Sequence, residues 1–167
     1  ATPYDLFNNF SELSGQVYHA SSIGSTTYPP STTFDGFQDS SKWYSLLQYN
    51  STSGLYYGSK FTGPYHGEWI QVDLSENVFA GSYVIQGYLS NNTSYKNSSP
   101  KKGYLLSSLD GKEWRLAHTF DVQTTNADYM WNNVNGNEYG CLNHKITNNK
   151  NAIGRYWRFV TEKMFQG

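Results

Sequence analysis

The sequence predicts an all-β fold, an antiparallel β-sandwich or jelly roll. Charged residues make up only 15% of the chain and aromatic residues 17%, so its polarity comes from Ser, Thr, Asn and Tyr rather than from salt-bridged helices. Short segments alternate apolar and polar side chains, as half-buried strands do, and long turn-rich stretches separate them. No helical period is sustained, and no repeat of about 20–50 residues is present.

Length, charge and cysteine content limit the fold and the partners. A chain of 167 residues and 19.0 kDa predicts a single domain over 1–167, with a lead-in segment at 1–15 and the core at 16–167. The formal net charge of -1 supplies no basic field, which argues against nucleic acid as a partner. The single cysteine, Cys141, excludes an internal disulfide, and no His/Cys spacing suggests a zinc site.

The first half of the chain contains two predicted strands around a long loop region. Residues 16–22 predict a short strand, and a loop must follow because Pro29 and Pro30 cannot continue a ladder. Residues 45–64, rich in Ser, Gly and Tyr, predict a long loop or hairpin. Residues 68–74 then alternate strictly, which predicts a strand with one buried face: Ile70, Val72 and Leu74 lie opposite Trp69, Gln71 and Asp73.

The second half continues the same pattern of strands and loops. Residues 81–89 predict a strand that leads into a polar loop at 90–101. Residues 103–107 and 113–120 flank the turn signal Asp110-Gly111, which predicts an antiparallel hairpin. A long Asn-rich stretch follows up to residue 151, and alternation over 155–160 predicts the final strand.

Several of these segments, taken in order, resemble the coagulation factor V/VIII type C, or discoidin, family. The resemblance covers about residues 16–160 and rests on six stretches: Val17-Tyr18-His19-Ala20-Ser21-Ser22; Phe34-Asp35-Gly36 followed by Trp43; Trp69-Ile70-Gln71-Val72-Asp73-Leu74; Tyr83-Val84-Ile85-Gln86-Gly87; 104–114; and 154–160. It implies a galactose-binding-like jelly-roll sandwich of about eight antiparallel strands, with ligand loops at one pole. Family members bind galactose-type sugars, anionic phospholipid or proteins, so the resemblance does not settle the ligand.

Two departures from the family concern the ends of the chain. The cysteine pair that joins the termini of animal discoidin domains is missing, and the chain ends shortly after Val160. The sequence therefore looks more like family 32 carbohydrate-binding modules, which shifts the expected ligand towards sugar.

The resemblance places three ligand loops at 23–30, 45–66 and 87–101. A sugar ring packs its C–H face on an aromatic ring, while its hydroxyls need planar hydrogen-bonding groups. The candidates in or beside these loops, with Trp131 in a fourth long loop, are Tyr28, Tyr57, Tyr65, His66, Tyr88, Tyr95, Lys96 and Trp131. Alternatively, several of these rings pack as ordinary hairpin or core pairs. Trp69, Trp114 and Trp157 are assigned to structure.

A structural Ca²⁺ is the one cofactor that the resemblance suggests. Its hard oxygen ligands would be Asp35, Asp39 and Ser41, a backbone carbonyl near Phe34, and Glu162 from the last strand. The alternative is that Asp35-Gly36 is only a tight turn. The four histidines are far apart in sequence, which favours surface or loop positions over a local metal site.

These observations favour a non-catalytic glycan-binding module, with two alternative binding functions. A protein-binding adhesion module stays open because Asn/Tyr-rich loops resemble adaptable paratopes. Membrane phospholipid is less expected because it requires exposed apolar tips beside basic residues. No motif brings two carboxylates together or forms a nucleophile elbow, so an enzyme is not expected. Acceptor triplets at Asn9, Asn50, Asn91, Asn92 and Asn97 favour a secreted, cell-surface or virion-surface location.

Overall fold

The computed structural model describes residues 3–5, 17–27, 29–31, 43, 45–46, 48–86, 100–122, 130–134, 137–146 and 149–165, with backbone only at 3–5, 84–86, 130–134 and 137–143. These residues form ten strands: β1 (Pro3–Asp5), β2 (Val17–Ala20), β3 (Phe61–Thr62), β4 (Tyr65–His66), β5 (Glu68–Gln86), β6 (Pro100–Ser108), β7 (Arg115–Asp121), β8 (Met130–Val134), β9 (Asn137–Lys145) and β10 (Ile153–Met164). Within this described part, no helix is long and apolar enough to cross a membrane.

The long strand β5 reverses direction and divides the main sheet into two layers. Phe159 in β10 pairs with Ile70, early in β5, while its ring centroid lies 6.3 Å from that of Tyr83, late in β5. A straight strand would separate Ile70 from Tyr83 by about 43 Å, at about 3.3 Å per residue. The two halves of β5 therefore face each other across the core.

The reversal occurs at an interruption in the pairing between β5 and β10. Pairing passes from Asp73↔Tyr156 to Val78↔Gly154, so residues 74–77 of β5 stand opposite the single residue Arg155. The Arg155 Nε donates a hydrogen bond to the Leu74 carbonyl at 3.1 Å, which satisfies one backbone group freed by the interruption. The exposed 75–77 segment is therefore a corner at which the chain changes layer.

Each layer uses one half of β5. The first layer has the order β7-β6-β10-β5-β2, and the second has the order β1-β5-β9-β8. β1 pairs with β5 in parallel, and the other pairings in the main sheet are antiparallel. β3 and β4 form a separate hairpin. This architecture confirms the predicted all-β sandwich.

The structure confirms most of the predicted strands and corrects one region. β6 and β10 cover the predicted segments, β2 lies within 16–22, β7 begins two residues after the predicted start at 113, and the lead-in segment contains β1. The segments 68–74 and 81–86 belong to one continuous strand rather than two, while 87–89 lie outside the described residues. The Asn-rich stretch contains β8 and β9, which the sequence analysis missed because its polar residues hide the alternation of apolar side chains.

Apolar side chains from both layers fill the space between them. Alternation places Ile70, Val72 and Leu74 in the core, as predicted. Trp157 is 2% exposed, and its indole Nε1 donates to the Gly154 carbonyl at 2.9 Å. The rings of Phe120 and Phe159 stack with centroids 4.8 Å apart. The structural assignment of Trp157 agrees with this position.

Two histidines lie against the core, contrary to the expectation of surface or loop positions. His144 in β9 is 8% exposed and stacks on Tyr83 with ring centroids 4.8 Å apart. The Tyr83 hydroxyl and His118 Nδ1 are 2.6 Å apart, and the two histidine rings are 6.0 Å apart. The fold gathers them because β7 and β9 belong to opposite layers of the same sandwich.

The close approach of Gly67 to β10 makes the first testable prediction. Gly67 has φ +151°, and a Cβ at this position would collide with the Thr161 carbonyl oxygen. Gly63 has φ +57°, but no atom would lie within 4 Å of its added Cβ. We expect Gly67→Ala to lower the free energy of unfolding by about 2 kcal/mol and Gly63→Ala by about 1 kcal/mol.

Urea denaturation of the two variants measures this difference. The Gly63 variant reports the cost of a positive φ alone, whereas the Gly67 variant adds the contact with β10. Equal losses in the two variants would show that close packing at Gly67 has no energetic effect.

Candidate ligand-binding surface at the loop end

We define the loop end as the end of the sandwich at which β5 begins and β10 ends. Residues 21–23, 43, 45–46, 48–66 and 162–165 lie here, together with the start of β6, because Pro100 pairs with Met164. The opposite, or far, end contains the 75–77 corner and the turn between β6 and β7. The second half of β5 runs back towards the loop end. Parts of all three predicted ligand loops thus connect to one end of the sandwich.

A half-buried tyrosine fixes the 48–57 segment to both central strands. The Tyr49 hydroxyl donates to the Thr161 carbonyl at 2.7 Å and accepts from the Glu68 amide at 3.1 Å. Burial raises the pKa of Tyr49, so the hydroxyl keeps its proton and acts as a donor. The Tyr56 amide also donates to the Glu162 carbonyl at 3.0 Å. The loop is therefore a preorganised surface rather than a free connection.

The β3–β4 hairpin presents one face to the sheet and the other to solvent. Thr62 and Tyr65 pair with each other and face inward: Thr62 is 4% exposed, and Tyr65 packs on Tyr104 with ring centroids 4.6 Å apart. Phe61 and His66 form the outward pair, with ring centroids 5.8 Å apart, and Phe61 is 60% exposed. The hairpin thus offers an exposed aromatic ring beside an exposed imidazole.

Two serines, Ser21 and Ser22, attach the described residues around 21–23 and 43–46 beside the start of β5. Ser21 Oγ donates to the carboxylate of the buried Glu68 and accepts from the Trp69 amide at 2.9 Å. Ser22 Oγ accepts from the Leu46 amide at 3.0 Å, and its carbonyl accepts from the Trp43 indole at 2.9 Å. Ile23 and Leu46, next to these anchors, are 47% and 53% exposed. Apolar side chains therefore flank the polar anchors at the surface.

Charged groups at the start of β6 face opposite charges on neighbouring strands. Lys101 Nζ lies 3.0 Å from Asp121 Oδ1, and Lys102 Nζ lies 3.6 Å from Glu162 Oε2. The Tyr104 hydroxyl donates to Glu162 Oε2 at 3.1 Å. Burial, reinforced by the Glu162 charge, raises the pKa of Tyr104. These contacts provide polar groups at the loop end that remain partly open to solvent.

The structure places three of the predicted ligand residues at this surface. Tyr57 is 67% exposed, the largest exposed fraction among the large hydrophobic side chains of the described residues. His66 is exposed beside Phe61, whereas Tyr65 is half-buried against Tyr104, as the hairpin-pair alternative described. Tyr28, Tyr88, Tyr95 and Lys96 lie outside the described residues. Their role in binding stays a prediction.

The predicted position of Trp131 in a loop is wrong. Trp131 lies within β8, and its backbone is paired with Gly140 of β9. The reason is that polar residues obscured the β8–β9 hairpin in the sequence. Sequence reasoning also missed Phe61, although alternation on both sides of Gly63-Pro64 is a signal for this hairpin.

Of the predicted calcium ligands, only Glu162 belongs to the described part of the chain. Its Oε2 accepts a hydrogen bond from the Tyr104 hydroxyl and lies 3.6 Å from the Lys102 ammonium nitrogen, and its part in a metal site stays a prediction. Phe34, Asp35, Asp39 and Ser41 lie outside the described residues. Within the described part, no group of three His, Cys, Asp or Glu residues could hold a metal ion.

Comparisons with known proteins connect this architecture to a group of sugar-binding domains. No protein-family model matches the chain, and no curated protein matches it. One solved structure with the same architecture is the family 32 carbohydrate-binding module of C. perfringens NanJ, in complex with galactose. It has a TM-score of 0.57 and 13% sequence identity, and the match covers 89% of this chain and 83% of that chain.

The fold is that of family 32 carbohydrate-binding modules. A second structure, CpGH89CBM32-5 from Clostridium perfringens in complex with GalNAc-β-1,3-galactose, has a TM-score of 0.57 and 12% identity, over 89% of this chain and 85% of that chain. The structural match establishes the galactose-binding-like sandwich, and at identities this low it establishes the fold alone. The finer resemblance to the coagulation factor V/VIII type C family stays a prediction.

Proposed function

We propose that this chain is a non-catalytic carbohydrate-binding module of a secreted, cell-surface or virion protein, and that it binds a galactose-type glycan at the loop end. The observation that carries the proposal is the set of exposed Tyr57, Phe61 and His66 on a segment tied to β5 and β10. These side chains supply stacking faces and a planar hydrogen-bonding group. The two family 32 modules with this fold were both solved with galactose-containing ligands, which supports the same sugar class.

The preorganised base of this surface supports binding without catalysis. A module that holds its aromatic rings in place loses less conformational entropy when sugar binds. Two of the described carboxylates at the loop end are engaged in the fold: Glu68 is buried against Ser21, and Glu162 contacts Tyr104 and Lys102. Both therefore serve to hold loops and strands in position.

A loop-end tyrosine substitution gives the second testable prediction. We expect Tyr57→Ala to weaken glycan binding about tenfold, which corresponds to about 1.4 kcal/mol, because it removes an exposed ring on which sugar can stack. The matched control is Leu109→Ala, which removes a side chain of 52% exposure at the far end. Binding would be screened on a glycan array with multivalent protein and then measured by calorimetry.

The array also separates the proposed function from its alternatives. Equal binding by wild type, Tyr57→Ala and Leu109→Ala would place the sugar site away from Tyr57. A blank array from folded, multivalent protein would contradict the glycan proposal and favour the protein-binding alternative. Repeating the array and a thermal melt with chelator tests the proposed Ca²⁺ at Phe34, Asp35, Asp39, Ser41 and Glu162, since a bound structural ion raises the melting temperature.

One observation favours anionic phospholipid as a second candidate ligand. The side chains of Ile23, Leu46, Leu55 and Phe61 are between 47% and 60% exposed at the loop end, and Lys60 is exposed beside Phe61. Binding to a phospholipid membrane requires exposed apolar side chains next to basic groups. The composition of the loops had argued against this arrangement. Sedimentation with phosphatidylserine vesicles, compared with neutral vesicles, would distinguish this candidate from sugar binding.

A further inference from the structure

The turn that begins at Asn50 contains the Asn-x-Ser/Thr triplet Asn50-Ser51-Thr52. The other four such triplets of the sequence lie outside the described residues. Asn50, Ser51 and Thr52 are all exposed. The turn closes by two backbone hydrogen bonds of 2.8 Å, from the Asn50 amide to the Leu55 carbonyl and from the Gly54 amide to the Asn50 carbonyl. The triplet is therefore displayed on a well-formed surface turn.

Hydrogen bonds orient the Asn50 side chain so that its amide nitrogen faces away from the turn. Asn50 Oδ1 accepts from the backbone amides of Thr52 at 2.9 Å and Ser53 at 2.8 Å. The planar carboxamide places Nδ2 on the opposite side from these two donors. Among the described residues, Nδ2 has no hydrogen-bond partner, so substitution on this nitrogen would break no contact seen in the fold.

The fold does not require an asparagine and a threonine at these two positions. The turn uses only the oxygen of residue 50, which an aspartate would supply equally well. The Thr52 hydroxyl makes no hydrogen bond among the described residues, whereas the neighbouring Ser53 Oγ accepts from the Leu55 amide at 3.3 Å. Asn50 Nδ2 and Thr52 Oγ1 are the two groups that define an Asn-x-Thr acceptor.

We propose that Asn50 is an acceptor site for an N-linked glycan. In the transfer, Asn50 Nδ2 forms a C–N bond to the anomeric carbon of a lipid-pyrophosphate-linked oligosaccharide. The C–O bond from that carbon to the pyrophosphate breaks, the lipid pyrophosphate leaves, and Nδ2 loses one proton to a base of the transferase. The donor is an activated sugar of this chemical class, and no oxidant or reductant takes part.

The position of the turn explains why the folded domain tolerates this glycan. The turn lies against the end of β10 through the Leu55–Lys163 bridge, and the Met164 amide donates to the Gly54 carbonyl at 2.9 Å. These contacts lie on the backbone of the turn and leave the Asn50 side chain on the solvent side. The proposal is independent of the sugar-binding function, since it concerns attachment of a glycan rather than recognition of one.

The test uses the full chain, preceded by a secretion signal and translated in the presence of microsomes. Only translocated, protease-protected chains would be treated with peptide N-glycosidase in heavy-oxygen water and mapped by mass spectrometry. We expect labelled aspartate at position 50 in the wild type and in Thr52→Ser, and none in Thr52→Ala. Asn50→Asp is the matched variant, because it keeps the Oδ1 acceptor of the turn and removes Nδ2.

The second measurement is the melting temperature of the purified chain with and without its glycans. We expect Asn50→Asp and wild type to melt at the same temperature, and the glycan at residue 50 to leave that temperature unchanged. Recovery of unlabelled Asn50 from translocated wild-type chains would overturn the proposal. A lower melting temperature of chains that carry a glycan only at residue 50 would contradict the argument that this glycan disturbs no contact of the fold.

Discussion

Replacement of Arg158 by alanine is expected to lower the free energy of unfolding by about 3 kcal/mol, because this side chain joins four separate segments. Its guanidinium carbon lies 3.6 Å from the ring centroid of Trp69 in β5 and 4.3 Å from that of Trp114, just before β7. Nε and Nη2 donate to Gln71 Oε1 at 3.0 and 2.6 Å, and Nη1 donates to Thr62 Oγ1 at 2.8 Å. The substitution leaves these acceptors and both indole faces without their partner.

The planar guanidinium group of Arg158, rather than its charge alone, allows it to stack on two indoles and to donate hydrogen bonds to Gln71 and Thr62. Burial lowers the pKa of Arg158 to about 10, and the nearby Asp73 offsets this in part, so the group stays charged at neutral pH. Arg158→Lys keeps a positive charge but cannot stack between two indoles while donating in two directions. We therefore expect the lysine variant to lose most of the same stability.

Thermal and urea denaturation would measure this loss as a decrease of about 6–12 °C in melting temperature. The control is Arg155→Ala on the same strand, where an exposed arginine donates one hydrogen bond to the Leu74 carbonyl. Its expected cost is about 1 kcal/mol. Equal losses of unfolding free energy at positions 155 and 158 would contradict the proposal that the contacts of Arg158 with Trp69, Trp114, Gln71 and Thr62 stabilise the fold. Weaker ligand binding by Arg158→Lys than by Arg155→Ala would show that the Thr62 contact positions the hairpin.

Acidification from pH 6.5 to 4 is expected to destabilise the domain through the buried His144 and the half-buried His118. Burial, and then the charge of His118, lowers the pKa of His144 to about 4, and burial lowers the pKa of His118. The unfolded chain binds protons at about pH 6.5, before the folded chain does. The contribution of the neutral histidines to the free energy of unfolding is therefore fully present above pH 6.5. It is lost as the pH falls towards 4, by about 1.4 kcal/mol per pH unit for His144.

His144→Phe is the variant that tests this cause. The Nε2 atom of His144 is buried and has no hydrogen-bond partner among the described residues, so a phenyl ring stacked on Tyr83 removes both this unpaired polar atom and a titrating group. We expect this variant to be more stable than wild type at pH 5 and to lose less stability between pH 6.5 and 4.5. Urea denaturation across this pH range would measure both effects.

A charge change beside the histidine serves as the control for this experiment. Lys145→Gln alters the adjacent, exposed residue of β9 without changing the core. An identical pH dependence in wild type and His144→Phe would show that acid destabilisation arises from other groups. Retention of wild-type behaviour in Lys145→Gln, together with a flatter profile in His144→Phe, would assign the effect to the buried ring.

Local alternation was sufficient to predict much of the first layer. The sequence shows which side chains of residues 68–74 and 155–160 share a face, because successive side chains of a strand point to opposite sides. Asp110-Gly111 marked the β6–β7 turn for a similarly local reason: Gly111 adopts φ +77°, and Asp110 Oδ1 accepts from the Lys112 and Glu113 amides at 2.9 Å. Polar residues hide the alternation within 121–151, so these strands became visible only through pairing, of β9 with β5 and of β8 with β9.

The candidate site was predictable in its chemistry but not in its detailed surface. Tyr57, Tyr65 and His66 were identified as loop residues, yet packing on Tyr104 decides that Tyr65 turns inward while His66 remains exposed. Thr62 meets Arg158 across 96 residues of sequence, and Tyr49 meets Thr161 across 112. The alternation of apolar and polar side chains shows which neighbouring residues of a strand are buried and which are exposed. Contacts between distant segments depend on how β5 reverses and how the loops pack, because these form only when the whole sandwich closes.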